Sequence, residues 1–257
     1  MLRAVACGVV AGPEVSLHAA RPAWKQLLAA QERETATTSS AREAAVSAAI
    51  AADLRAMYLR LVAGASDHLL TSVCRHDALY PLGLHDLCDA PQVIHICGDV
   101  NRLKQLTKQP TVAVVGARRA TAQGREVAYR LGRETAAAGV TVVSGMAFGV
   151  DAAAHRGALA ADGQTIAVLA GAPSRAYPSS NAALHREIIA DGLVISEFPP
   201  GAKVARWSFP ARNRLIAALA QLTVIVEGRR GSGSIHTAEF AAELGRMVAA
   251  VPGSVVS

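Results

Sequence analysis

The chain has 257 residues, 51% hydrophobic and 18% charged, too apolar and too weakly charged for a disordered chain and long enough for one large α/β domain or two small ones. Aromatic residues make up only 4%, which excludes an extensive stacking platform. The formal net charge of +6 suits a polyanionic partner, and from residue 111 onward there are 15 basic and 10 acidic side chains against 11 and 10 before it, so any such attraction belongs to the second half.

The opening run from Met1 to Val15 is broken by Gly and Pro too early for a secretory h-region, and no window approaches the ~20 uninterrupted apolar residues of a membrane span. Cys7, Cys74, Cys88 and Cys97 have neither CxxC pairing nor His-rich spacing, so no zinc site and no disulfide framework is expected. These features point to a cytoplasmic protein in a reducing compartment.

Residues 1–75 read as a helical region. Ser39-Ser40 followed by Glu43 resembles a capping box, and Ala45, Ile50, Leu54, Met57 and Leu61 recur at helical spacing between Ala41 and Val62. Nothing chemical stands out there. Residues 76–110 read as a connector, punctuated by Tyr80-Pro81 and Ala90-Pro91, with a strand expected at Val93–Ile96.

From Thr111 the pattern becomes a repeated unit of apolar strand, Gly-containing turn and amphipathic helix. Strands are expected at Val112–Val115, Val140–Val143, Thr165–Leu169, Leu193–Ile195, Leu222–Val226 and Met247–Val251. Helices are expected at Thr121–Ala137, Asp151–Ala161, Asn181–Ala190, Asn213–Ala220 and Ser234–Leu244. The strands are continuous and β-branched rather than alternating, as when helices cover both faces of a parallel sheet. The predicted fold class is therefore α/β, a doubly wound, mostly parallel Rossmann-like sheet over 111–257, preceded by the smaller helical region.

Ligands of such sheets bind beyond the carboxyl ends of the strands, in the strand-to-helix loops. The first loop holds Gly116, Arg118 and Arg119 before a helix whose free N–H groups suit a phosphate; the alternative is a solvated basic loop. It lacks GxGxxG and the acidic residue of a dinucleotide site. The second holds Ser144, Gly145, Phe148 and Gly149, with Asp151 as a helix N-cap and His155 one turn in, either a base or a satisfied structural group. The third carries Arg175, Tyr177 and Asn181. The fourth ends in Trp207, Phe209, Arg212, Asn213 and Arg214, two arginines around an Asn beside aromatic rings on which a base could stack. The fifth runs from Glu227 through Ser232, Gly233 and Ser234 to Thr237, a Gly/Ser turn feeding a helix N-terminus.

There is no GxSxG elbow, HExxH, Walker lysine or arranged carboxylate pair. Glu227 could serve as a base or as a structural hydrogen-bond acceptor. The loops supply phosphate binders without an evident catalyst, so no catalytic residue, cofactor or metal is expected.

Together these motifs resemble the DNA-processing protein A (DprA/Smf) family over about residues 78 to 253. The resemblance rests on Val115-Gly116-Ala117-Arg118, on Ser144 to Asp151 with Ala154-His155, on Tyr177-Pro178 with Asn181, and on Ser196-Glu197. It continues in FPARNRLIAALA from Phe209, in Ser232-Gly233-Ser234 with Thr237-Ala238, and in Gly245-Arg246 with Val251-Pro252-Gly253. It implies a bacterial cytoplasmic protein, not an enzyme, that binds and protects incoming single-stranded DNA and helps load the RecA recombinase in natural transformation and recombination. A homodimer is compatible with it. The family's phosphate-contacting arginine falls on Arg118. The chain departs from the family at Ala117, where a serine is usual, and at Phe148 and Ser179, where basic residues are common. It also ends soon after Pro252-Gly253, where the family continues.

Two other readings remain open. One is a nucleotide-processing hydrolase similar to the phosphoribohydrolases, with Glu227, Glu239 or Asp151 as acid/base; the absence of PGGxGT…E speaks against it. The other is a short form that acts only as partner or regulator of a longer homologue.

Overall fold

In the computed structural model, residues 70–229 and 231–253 are described; the helix expected at Ala41–Val62 and its capping box lie outside them. Strands and helices in alternation are what the pattern demands, and the elements appear in order: β1 (Leu70–Cys74), a 3-10 turn (Leu82–Asp86), β2 (Val93–Cys97), α1 (Val100–Lys108), β3 (Thr111–Val115), α2 (Ala122–Ala137), β4 (Thr141–Ser144) and α3 (Val150–Ala160). Then follow β5 (Thr165–Val168), a 3-10 turn (Ser179–Asn181), α4 (Ala182–Asp191), β6 (Leu193–Ser196), α5 (Ser208–Leu219), β7 (Leu222–Ile225), α6 (Gly233–Glu243) and β8 (Met247–Ala250). All eight strands join one sheet in the order β1-β2-β6-β5-β4-β3-β7-β8.

From β6 to β8 every pairing is parallel, while β2 runs antiparallel to β6 and β1 antiparallel to β2. Successive side chains of the central strands leave on opposite faces. Ala113, Val115, Val143, Ile166, Val168, Leu193 and Ile195 pack with Leu103 and Leu106 of α1 and Leu215, Ile216 and Leu219 of α5. Their neighbours Val114 and Val142 face Ala128 and Ala136 of α2 and Ala154 and Ala158 of α3, and Ala167 and Val194 face Leu184 and Ile188 of α4. Both faces are covered, which is why these strands read as unbroken apolar runs.

Three local readings are corrected. Residues 70–74, read as helical, form β1, because LTSVC pairs residue by residue with VIHIC. Helix α5 begins at Ser208 rather than Asn213; Pro210 sits in its first turn, where a missing N–H has no intrahelical partner to lose. Cys74 is disulfide-bonded, although the cysteine spacing led to no such expectation, whereas Cys88 and Cys97 are free thiols.

Strand β2 buries a histidine. His95 on β2 is 1% exposed, its Nδ1 lies 2.8 Å from Ser72 Oγ, and burial pushes its pKa down to about 4. A histidine held neutral by the fold contributes stability that is complete above its unfolded pKa of ~6.5 and is lost as pH falls towards the folded value. In His95→Gln, the decline of stability between pH 6.5 and 4.5 is therefore expected to be shallower than in wild type by up to ~1.4 kcal/mol per pH unit, as measured by denaturant unfolding at each pH. Equal slopes would show that His95 does not titrate with unfolding.

Strands β4, β5 and β6 follow one another on one side of β3, and the chain then crosses to β7 on the other side. The loops after β3 and β7 thus depart in opposite directions, which opens a crevice between them at the carboxyl end of the sheet.

Candidate nucleic-acid interface

That crevice is a cleft of about 490 Å³. Four of the five strand-to-helix loops contribute: Gly116 and Arg118 from the first, Ala147 from the second, Arg206 from the fourth, and Ser232, Gly233, Ser234, His236 and Thr237 from the fifth and the start of α6. Helix α5 forms one wall with Phe209, Arg212, Asn213 and Ile216, a spacing that puts all four on one helical face. A smaller recess of about 70 Å³ adjoins it, lined by Arg118, Gly145, Phe148, Tyr177, Phe209 and Arg212 among others.

The floor holds a buried arginine and a buried aspartate within electrostatic reach of each other. Arg212 is 4% exposed; its Nη1 donates to the Val168 carbonyl at 2.7 Å, while its Nε has no hydrogen-bond partner. Burial lowers its pKa to about 10, with attraction to Asp151 opposing and repulsion from Arg118 assisting, so it stays a cation at neutral pH. Burial likewise raises the Asp151 carboxyl, against the pull of Arg212 and of the Ala147 and Gly145 amides. Gly145 lies flat beneath the guanidinium, where a Cβ would collide with it. Gly149 adopts φ 76° and is the N-cap of α3, a place expected for Asp151, which instead sits inside the first turn. Met146 between them also has positive φ, at 57°, a conformation that costs a non-glycine residue ~1 kcal/mol and needs its surroundings to hold it. Asn181 Nδ2 does so, donating to Met146 O at 3.0 Å.

Aromatic rings border the cleft despite their scarcity. Arg118 Cζ stands 4.5 Å from the centroid of the Phe209 ring, and Tyr177 meets the same ring at 5.5 Å. Phe148, Tyr177 and Trp207 are 50%, 45% and 58% exposed. Phe148 and Tyr177 line the smaller recess, where they stand open to flat apolar partners, while Trp207 lines neither recess.

The helix N-termini differ in what they offer. At α2, Gly124 N donates to Thr121 Oγ1 at 2.9 Å and Thr121 N to Glu227 Oε2 at 2.9 Å, so two of the amides at this terminus are engaged within the chain. The Glu227 carbonyl also accepts from Ala117 N at 2.6 Å. Glu227 is thus a structural carboxylate tying the loops after β3 and β7 together, and it lies outside the cleft lining. At α6, the N-cap Ser232 makes no side-chain capping bond and the Ser232 and Ser234 hydroxyls lie 2.9 Å apart, so its positive end opens into the cleft.

Several sequence-selected residues lie elsewhere. Ser144 is fully buried and donates to the Val114 carbonyl at 2.6 Å. His155 is fully buried with Nδ1 2.7 Å from Thr165 Oγ1 and Nε2 without a hydrogen-bond partner, and burial lowers its pKa to about 3, a group enclosed in the core rather than a base facing the cleft. Arg119 is exposed but lines neither recess. Arg214 points to the back of α5, bonded to Asp89 and Glu197. Conversely, the sequence reading passed over Arg206 and His236. Arg206 was legible as the cation beside Trp207 in the longest loop; His236 carried no signal beyond lying one turn into α6. Among the described residues, no cluster of His, Cys, Asp or Glu could hold a metal ion and no helix is long and apolar enough to cross a membrane.

Residues 71–257 match the family model for the DNA recombination-mediator protein A. The chain is 40% identical over 182 residues to the DNA processing protein DprA of Streptococcus pneumoniae, covering 70% of this chain and 62% of that one. To DprA of Bacillus subtilis it is 39% identical over 176 residues, 68% and 58% of the two chains. The matches span between 37% and 62% of the length of the curated relatives. The X-ray structure of Streptococcus pneumoniae DprA superposes with a TM-score of 0.69 at 35% identity, over 80% of this chain and 72% of that one. The Helicobacter pylori protein, whose structure is described for its unique single-stranded DNA binding mode, superposes with a TM-score of 0.66 at 29% identity, over 74% and 83%.

Proposed function

The chain belongs to the DNA recombination-mediator protein A family, and from that premise we propose that it binds single-stranded DNA across the cleft and its aromatic rim. It works in the bacterial cytoplasm during transformation and recombination, where it protects the strand and helps to load the RecA recombinase. The observation that carries this reading is the meeting of Arg118, Arg206 and the open N-terminus of α6 with the rings of Phe148, Tyr177 and Phe209 at one end of the sheet. Cations and amide hydrogens hold phosphates without regard to sequence, and exposed rings accept unpaired bases. A duplex keeps its bases stacked inside, and among the described residues the rim has no helix or ribbon projecting to enter a major groove.

Binding, not hydrolysis, is the chemistry favoured. Asp151 is the one carboxylate in the cleft lining; it is 5% exposed and attracted to Arg212. Glu227 is engaged by the Thr121 amide. Neither is free to activate a water molecule at a glycosidic bond.

The test is an anisotropy titration of single-stranded, duplex and tailed oligonucleotides across salt concentrations. Single-stranded and tailed DNA are expected to bind at least ~10-fold more tightly than blunt duplex, with log K falling linearly in log salt by ~0.7 for each phosphate held. Equal affinity for duplex, or binding insensitive to salt, would overturn the proposal. Release of free base from nucleoside monophosphates would instead establish the hydrolase.

A further inference from the structure

Arg214 lies in the second turn of α5 on the side away from the cleft, and it is among the most heavily engaged side chains of the fold. Its Nε donates to Asp89 Oδ2 at 2.8 Å, its Nη1 to Glu197 Oε1 at 3.2 Å and its Nη2 to Glu197 Oε2 at 2.8 Å. Nη1 also donates to Ala211 O at 2.9 Å and Nη2 to Asp89 O at 3.2 Å. The side chain is 11% exposed and that of Glu197 16%. Every guanidinium nitrogen thus has an acceptor, and two carboxylates outweigh its single charge. A phosphate approaching this cluster would meet net negative charge.

We propose that Arg214 is a positioning residue for the cleft: it fastens α5 to the end of β6 and to the segment at Asp89, and so fixes the direction in which Phe209 and Arg212 project. The inference rests on the reading of the cleft as a single-stranded DNA site. Helix α5 needs such a fastening. It follows a loop of eleven residues beyond β6, its N-cap is Trp207, and no side chain caps its first turn, so that turn has little local support. The clamp also reaches the N-cap of α5. Glu197 precedes Phe198, whose ring meets that of Trp207 at 5.6 Å. The fork geometry is essential, because a lysine ammonium is a point charge and cannot hold Asp89 and both Glu197 oxygens together.

The test compares wild type, Arg214→Lys, Glu197→Gln and their double variant in a Trp24→Phe background, where emission reports on Trp207 alone. In Arg214→Lys the affinity for an unstructured oligonucleotide is expected to fall about tenfold with an unchanged salt slope, since no phosphate contact is lost. Trp207 emission is expected to shift without DNA, a change that loss of stability alone would not produce in the folded protein. Glu197→Gln is expected to act in the same direction, and the double variant to be no weaker than Arg214→Lys, because both substitutions break one linkage. Should Arg214→Lys fold poorly, Glu197→Gln carries the same comparison with the guanidinium intact. A salt slope smaller by ~0.7 would make Arg214 a phosphate contact and overturn the inference; so would unchanged affinity and emission. If wild type fails to bind DNA while the emission shifts, the DNA reading falls and the clamp stands.

Discussion

Arg118→Ala is expected to weaken single-stranded DNA binding by about tenfold at moderate salt and to flatten the salt dependence by ~0.7, the share of one phosphate. Arg118 is the exposed cation at the centre of the site: it lines both recesses and covers the Phe209 ring at 4.5 Å. Losing it removes a charge-assisted contact and one flank of the stacking surface together. The loss should be similar for all sequences, since a phosphate carries no base identity. Thermal stability should not fall with it. Arg118 repels the buried Arg212 and attracts the buried Asp151, so the two effects of its removal on the floor oppose each other. Weaker binding with an intact melting temperature separates a contact from a structural support, and an unchanged salt slope would remove Arg118 from the DNA path.

Arg212→Ala is expected to do the reverse, damaging the fold first. The side chain is buried over Gly145, bonded to Val168 O and paired electrostatically with Asp151. Truncation leaves a void and strands a buried carboxylate, a combination that costs ~3 kcal/mol. For a domain of this size that lowers the melting temperature by roughly 6–12 °C. Part of the loss should return in Arg212→Ala/Asp151→Asn, because the second substitution removes the stranded charge while keeping an acceptor for the Ala147 amide. Calorimetry on the two variants measures this directly. Additive effects in the double variant would show that the floor pair does not interact.

The two arginines of FPARNR illustrate how far sequence reasoning reaches. Motif, charge and loop position place Arg212 and Arg214 equally at a helix start, and both read as anion binders. The fold separates them. On α5, positions 209, 212, 213 and 216 face the cleft, so Arg212 becomes its floor, while Arg214 is turned to Asp89 and Glu197. Neither partner is near Arg214 in sequence, and the helix phase depends on where α5 starts. The sequence pattern puts that start at Asn213, five residues late, whereas Pro210 sits in the first turn of a helix that begins at Ser208. Glu227 gives the same lesson: its carboxylate could have been a base until Thr121, 106 positions away, was found to hold it.

By itself, then, the order of residues determined the alternation of strands and helices from Thr111, the double covering of the sheet, and the rim on which the ligand groups gather. Those properties follow from periodicity, turn chemistry and strand polarity, all of which act over a few neighbouring positions. Tertiary structure alone decided which cations are open and which are spent on internal carboxylates. It also decided which helix N-terminus is free, and that scarce aromatic rings from separate loops share one edge. Those outcomes depend on burial and on partners remote along the chain, and a local pattern carries no record of either.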